Sequence, residues 1–501
     1  MLLSRKHANQ TSIVRADFSG GLNTTGTIEG IAENQLADVV NMEVDGATGR
    51  LKTVGGTTDI LLDIEGNIIA ACYDQINNLL LIVKDKTVFP CTLSGEIGAA
   101  LGELSGELYP ITADWEDGLL IATGGKLQYF DGANLKTIAD SPTANGVYVR
   151  AGRVLVTDST SIYYSGVGDE DNWTEESGDD STSKFIEAGY KDGGVFVGMC
   201  NLSSDILLIK DNRRVYRLAG EYPDWQIAEV SRNVECSGRM SYCSIADAVL
   251  ILGANEVQQI QTTDAYGAMK PGNLASLITS EIQKMPPNAK VRYLPPLSQV
   301  WIIGNDGLVL MYSMQTNSWF RRIFNSPIID AFSVGDMTYV VRADRISYID
   351  EQTFYDAGEP LKWSFTAQRL VSQHDFLLKR TQVSSVPFST ALYTGRITAG
   401  AVIIPLPLHK KSAKIYKNKT KIYKNKIKTQ ATARNMGVYS AETKVYDNPM
   451  PLYKSTKKIF ERHTIIKESR NVYRGKFIDI SGYGTMGGFM LNGIILDIAE
   501  V

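Results

Sequence analysis

The chain of 501 residues carries four histidines, His7, His374, His409 and His463, and no two stand at a spacing that would bring both onto one metal ion. Its five cysteines, at 72, 91, 200, 236 and 243, are odd in number and contain no Cys-x-x-Cys pair. This predicts free, mostly buried thiols made in a reducing cytosol rather than a disulfide framework or a zinc site. No Gly-x-Ser-x-Gly elbow, Walker loop or dinucleotide fingerprint stands in a strand-turn-helix context. The one stretch with paired carboxylates is Ser165-Gly-Val-Gly-Asp-Glu-Asp-Asn-Trp-Thr174, where Asp169 and Asp171 loosely resemble an aspartate turn of glycosidase propellers. It is a single imperfect copy in an acidic region, so no catalytic residue, cofactor or metal is expected.

One other stretch has types and spacing suited to chemistry. Lys414-Ile-Tyr-Lys-Asn-Lys419 recurs seven residues later as Lys421-Ile-Tyr-Lys-Asn-Lys426, and Lys428 follows. Lysines interleaved with tyrosines suit contact with phosphates and stacking on bases. Lys414, Lys417, Lys419, Lys421, Lys424, Lys426 and Lys428 are therefore the candidate contacts to DNA or to an acidic partner. There is no base-reading module, so contact with DNA would be nonspecific; a solvated basic hairpin is the plainer alternative.

The formal net charge is only −4. It conceals an asymmetry: residues 1–200 hold about 29 acidic against about 13 basic side chains, and residues 401–480 about 19 basic against about 5 acidic. Such polarity suits neighbours of defined charge better than a small-molecule pocket. No apolar run approaches the roughly 18 residues needed to span a bilayer, and Met1-Leu-Leu-Ser-Arg-Lys-His-Ala-Asn-Gln10 lacks the apolar core of a secretory signal.

The elements that would position these residues are strands. Forty-four glycines and 24 tyrosines fit many short strands and tight turns. The clearest unit is Asp205–Gly220: an apolar run, Ile206 to Ile209, then a polar turn at Asp211 and Asn212, then the alternating Val215-Tyr-Arg-Leu218. The two turn residues tolerate a left-handed backbone, and the whole reads as an antiparallel hairpin. Comparable apolar strands begin at 79, 119, 154, 206, 249, 300 and 338, a mean advance of about 43 residues. Earlier stretches such as Val195-Phe-Val197 and Val291-Arg-Tyr-Leu294, and later tryptophans such as Trp225 and Trp319, give three or four strands per unit. A period of roughly 40–50 with several strands predicts an all-β chain with a β-propeller of six to eight blades, seven of them visible. The hairpin 205–220 is expected to be one blade's inner pair. An irregular β-sandwich is the alternative.

The repeat fits residues 57–355. The N-terminal arm, 1–56, and the C-terminal region, 356–501 with its basic insertion 410–430, do not fit it and are expected to form a β-rich platform domain together. Adjacent Gly20 and Gly21 predict a sharp turn or a close backbone approach.

Several of these stretches resemble one family: the tail stabilisation, or nozzle, proteins of short-tailed bacteriophages. The likeness rests on Asp17-Phe-Ser-Gly-Gly-Leu-Asn23 followed by Asn34-Gln-Leu-Ala-Asp-Val-Val-Asn-Met42. It rests also on Ile162-Tyr-Tyr-Ser-Gly166 with Trp173, and on Ile206–Gly220 followed by Trp225-Gln-Ile227 and Cys236-Ser-Gly238. It spans residues 10–355 well and the remainder only in general layout; the lysine stretch has no counterpart. The resemblance implies a non-enzymatic virion protein assembled in the host cytoplasm, with a propeller joined to a platform made from both chain ends. It implies a ring, usually of six copies, below the portal and adaptor and beside other tail proteins such as fibres or a needle. Such a ring extends the DNA channel, retains the packaged genome and conducts it during ejection. A receptor- or glycan-binding tail propeller, and less so a carbohydrate-active propeller enzyme, are the alternatives.

Overall fold

The computed structural model describes residues 10–61, 66–262, 269–387, 394–400, 402–405, 465–469, 473–485 and 488–500. The lysine stretch 410–430, with all seven candidate lysines, lies outside the described residues, as do His7, His409 and His463. The chain divides into two compact units. One comprises Met1–Thr58, Tyr312–Asn325 and Asp350–Val501; the other comprises Asp59–Met311 and Ser326–Ile349.

Seven four-stranded sheets follow one another along the middle of the chain. Their first strands are Ile68–Asp74, Ile111–Trp115, Gly146–Arg150, Phe196–Leu202, Tyr242–Ile245, Lys290–Leu294 and Asp330–Val334. Six of the sheets run from such a strand outward in sequence order, and the seventh does not. In the first, the outermost strand is the two-residue Gly102–Glu103. In the seventh, the fourth strand is Gly56–Leu61, which precedes the whole repeat. That swap ties the beginning of the repeat to its end: Asp59 accepts hydrogen bonds from Ser347 Oγ at 2.5 Å and from Arg345 Nη1 at 3.2 Å.

Shared apolar clusters join successive sheets. Leu81 and Val83 pack with Leu119, Ile121 and Phe130; Leu120 and Ala122 with Val154 and Val156; Leu155 and Ile162 with Ile206 and Leu208; Leu207 and Ile209 with Val249 and Ile251. First strands of the fifth and sixth sheets, and of the sixth and seventh, lie together. Tyr339, Val341 and Ile346 of the seventh pack on Ile68, Leu80 and Ile82 of the first. The ring therefore closes, and the unit is a seven-bladed β-propeller whose sheets cover one another's apolar faces.

Asp205–Lys210 and Val215–Ala219 are the second and third strands of blade 4, not its inner pair; the inner strand is Phe196–Leu202. The second strand of every blade has a neighbour on both edges and a blade on both faces, so it carries the strongest apolar run: Ile206 to Ile209 are all 0% exposed. The inner strand is weaker in sequence because part of it faces the axis. Within the hairpin's turn, Arg213 rather than Asp211 or Asn212 takes the left-handed backbone, at φ 67°. Asn212 Oδ1 instead accepts from the Arg214 N–H and Asp211 Oδ1 from the Val195 N–H, which folds the turn around Arg213.

Blade 4 also buries an ion pair. Lys210 Nζ lies 2.9 Å from Asp192 Oδ1, with the side chains 2% and 5% exposed, and Asp192 also accepts from Tyr216 Oη and the Gly194 N–H. Burial alone would raise the Asp192 pKa, but these donors hold it at about 2. The depressed carboxylate stabilises the fold above its unfolded pKa near 4, and that contribution, roughly 2 kcal/mol, is lost as pH falls towards 2. Asp192→Asn is expected to cost about 3 kcal/mol, because it leaves Lys210 buried without a counter-charge. It should also flatten the acid limb of a denaturation series between pH 5 and 2.

The other unit weaves both chain ends into two sheets. In one the order is Met42–Asp45, Arg50–Thr53, Phe489–Glu500, Leu370–Pro387, Ile465–Ser469, with Gln10–Arg15 also paired to Phe489–Glu500 and Tyr473–Ile478 to Leu370–Pro387. In the other it is Gly21–Leu22, Gln35–Val40, Lys362–Ala367, Ile480–Thr485, Thr394–Ala399, Val402–Pro405. Phe18 meets Phe365 edge-on at 6.3 Å, and Trp363 meets Phe489 at 4.9 Å. Gly21 makes both the turn and the close approach expected of the glycine pair. Its φ is 62°, and a Cβ there would sit 2.7 Å from the Trp319 carbonyl oxygen. Gly21→Ala should cost about 1–3 kcal/mol in an equilibrium denaturation.

Candidate functional site

Asp169 and Asp171 stand on one exposed turn. Both are exposed; Asp169 Oδ1 accepts from the Asp171 N–H at 3.0 Å, and the Asp171 carboxylate is paired with Lys136. Between them, Glu170 accepts from Trp115 Nε1 at 3.1 Å, and its carbonyl from Trp173 Nε1 at 2.7 Å. The loop is pinned from below by Arg153, which is fully buried and donates to the carbonyls of Ser165, Asp180 and Thr182 while lying 4.2 Å over the Tyr222 ring.

All five cysteines are free, with Cys72, Cys91 and Cys200 buried. Burial pushes the Cys72, Cys236 and Cys243 thiols up to about 12 and Cys91 to about 11, and it raises Cys200 as well. Among the described residues no three His, Cys, Asp or Glu side chains are grouped to hold a metal ion, and no helix is long and apolar enough to cross a membrane. His374 is exposed in the long strand Leu370–Pro387. A polar depression in the unit built from the chain ends is lined by Glu43, Asp45, Lys52, Glu351 and Met490, and Lys52 is already paired with Glu43 at 3.0 Å.

What the fold does bring together is a cluster on the propeller axis. Tyr109 stands just before the inner strand of blade 2. Its hydroxyl donates to Asp330 of blade 7 at 2.5 Å, its ring carries Lys290 of blade 6 at 3.5 Å from the centroid, and its carbonyl accepts from Arg239 ahead of blade 5. Blade 2 is not a neighbour of blades 5, 6 or 7, so these groups meet only across the axis. Arg239 Nε also donates to the Asn145 carbonyl at 2.6 Å, and Nη2 to the Ala122 carbonyl at 2.9 Å. Arg292, two residues along the inner strand from Lys290, holds Asp330 in a fork: Nε to Oδ1 at 2.8 Å and Nη2 to Oδ2 at 2.9 Å. Lys290 Nζ donates to the Ile329 carbonyl at 2.6 Å.

The electrostatics follow from burial of three cations around one carboxylate. Burial works against the Asp330 carboxylate, but Arg292 and Lys290 hold its pKa below the ordinary value. Burial and the Asp330 charge push the Tyr109 phenol well up. Burial lowers Lys290 to about 8 and Arg239 to about 10.

None of these five residues stood out in the sequence. Arg239, Tyr109 and Lys290 lie at or just ahead of the inner strands, the least apolar strands of their blades, and at unequal offsets within the repeat. The one visible signal is the cation pair in Lys290-Val-Arg-Tyr-Leu294, where Lys290 and Arg292 fall on one face of a strand whose intervening residue Val291 is buried on the other.

No known family's sequence profile matches the chain, and no curated protein matches it. Among solved structures, BamB from Moraxella catarrhalis aligns at 11% identity and a TM-score of 0.40, covering 68% of this chain and 97% of its own. A chain of the mitotic checkpoint complex aligns at 10% identity and a TM-score of 0.41, covering 60% of this chain and 95% of its own. At such values neither neighbour bears on what this chain does. By its own strand order, it is a seven-bladed β-propeller protein with a second β unit made from both of its ends.

Proposed function

We propose that this chain is a structural, non-enzymatic protein of a bacteriophage tail, a nozzle or tail stabilisation protein. Several copies, six in the usual arrangement, form a ring below the portal and adaptor, extend the DNA channel, retain the packaged genome and conduct it during ejection. The observation that carries this reading is the second unit. Gln10–Arg15 and Arg50–Thr53 from one end of the chain and Phe489–Glu500 from the other share one sheet, with the propeller inserted between them in sequence. This is the layout the family resemblance of residues 10–355 implies.

The axial cluster bears on where DNA would run. Arg239, Tyr109, Lys290 and Asp330 reach one another across the propeller axis, so a single copy offers no duplex-sized passage there. The conduit in this reading is the axis of the ring of copies. The acidic surplus of residues 1–200 suits a wall that repels DNA, and the lysine stretch 414–428 suits a neighbour of opposite charge.

A receptor-binding role has one observation in its favour: exposed aromatic rings, with Phe185 52% exposed beside Tyr163 at 5.9 Å and Tyr190 70% exposed. A glycan array separates the two readings, since saturable glycan binding lost in Phe185→Ala supports the second. Mass spectrometry of purified phage particles tests the first. The chain should be present at a fixed copy number near six per particle, and its absence from particles overturns the nozzle reading.

A further inference from the structure

The axial cluster is short of negative charge. Three cations, Arg239, Lys290 and Arg292, converge there, and among the described residues Asp330 is the one carboxylate bonded to any of them. Arg239 spends its guanidinium on three carbonyl oxygens and Lys290 spends its ammonium on one carbonyl and a ring face. Carbonyls and rings carry partial charge only, and buried charges are normally paired. Yet Tyr109, Arg239, Lys290 and Arg292 are each partly exposed, Arg292 at 21%, although they stand inside a closed ring of blades.

We propose that the donors gathered on this axis form a binding site for a small phosphate-class oxyanion. Lys290 supplies the ammonium: Ile329 O takes one of its three donors, and the ammonium lies 3.5 Å from the centroid of the Tyr109 ring. Arg292 Nη1, held only to its neighbour's carbonyl at 3.2 Å, supplies a second charged donor from the same strand face. Asp330 acts as a positioning residue: it locks Arg292 and Tyr109 but cannot itself meet an anion. Burial lowers Lys290 to about 8 although the Asp330 charge works the other way, and a bound oxyanion would raise it. The site is independent of the tail reading, because it lies wholly within the propeller.

The test uses the full chain in calorimetric titration with inorganic phosphate, against chloride at equal ionic strength. Wild type should bind about one phosphate per chain. Lys290→Met should weaken binding at least about tenfold, and Lys290→Arg should keep it. A variant with Lys414, Lys417, Lys421 and Lys424 changed to Gln should bind as wild type does. A short single-stranded oligonucleotide added as competitor identifies the source: displacement assigns the site to backbone phosphates, and no displacement to a free ion. If Lys290→Met does not fold, amine labelling of wild type read by mass spectrometry replaces it, with phosphate expected to protect Lys290. No saturable binding, binding indifferent to Lys290→Met, binding lost with the 414–424 lysines, or unprotected Lys290 overturns the site.

Discussion

Removing residues 489–501 is expected to unfold the unit built from the chain ends. Phe489–Glu500 is its central strand: it pairs with Gln10–Arg15 and Arg50–Thr53 on one edge and with Leu370–Pro387 along the other. Phe489, Leu491, Ile494 and Leu496 on it are each 0% exposed. At about 1.5–3 kcal/mol for each buried large apolar side chain, their loss alone costs roughly 6–12 kcal/mol, comparable with the whole stability of an ordinary domain. Three neighbouring strands would also lose their hydrogen-bond partners. Hydrogen exchange is the direct readout. Amides of Gln10–Arg15 and Arg50–Thr53 should lose their protection in the truncated chain, although they lie more than 400 residues away in sequence. Protection unchanged from the full chain would contradict the shared sheet.

The largest single-residue effect is expected at Asp330. It is 4% exposed and is the acceptor for the Arg292 fork and the Tyr109 hydroxyl. Asp330→Ala leaves Arg292 charged without its partner and strands the phenol, which should cost about 3–5 kcal/mol in chemical denaturation. Asp330→Asn keeps an acceptor and should cost less, about 1–3 kcal/mol. The double variant Asp330→Ala with Arg292→Met should recover part of the loss, because Arg292 is then no longer left without its partner. A loss below about 1 kcal/mol for Asp330→Ala would mean that water replaces the carboxylate and that the cluster is open rather than packed.

The propeller was legible because its signal repeats. Leu80–Val83, Leu119–Ala122 and Ile206–Ile209 are each buried on both faces between two other blades, and that demand recurs at every turn of the ring whatever else the blade carries. The placing of the hairpin 205–220 as an inner pair failed for the same reason: apolar strength marks the strand with most neighbours, and strands facing an axis trade apolar residues for Tyr, Arg and Lys. The swap of Gly56–Leu61 into blade 7 was hidden because pairing between positions nearly 290 apart, such as Asp59 with Ser347, leaves no local trace. The axial cluster was hidden more thoroughly. Tyr109, Arg239, Lys290 and Asp330 come from four blades, and their meeting is set by ring closure, not by spacing. The Gly20–Gly21 pair was readable as a tight approach because few other causes require two adjacent glycines.

The measurement that bears most directly on the tail reading is a cryo-electron microscopy reconstruction of the particle's portal and tail. The expected result is a ring of six copies beneath the adaptor with DNA-sized space on the ring axis and each propeller's own axis filled by Tyr109, Arg239 and Lys290. A reconstruction in which this chain is absent from the tail, or in which DNA threads the propeller axis of a single copy, would contradict it.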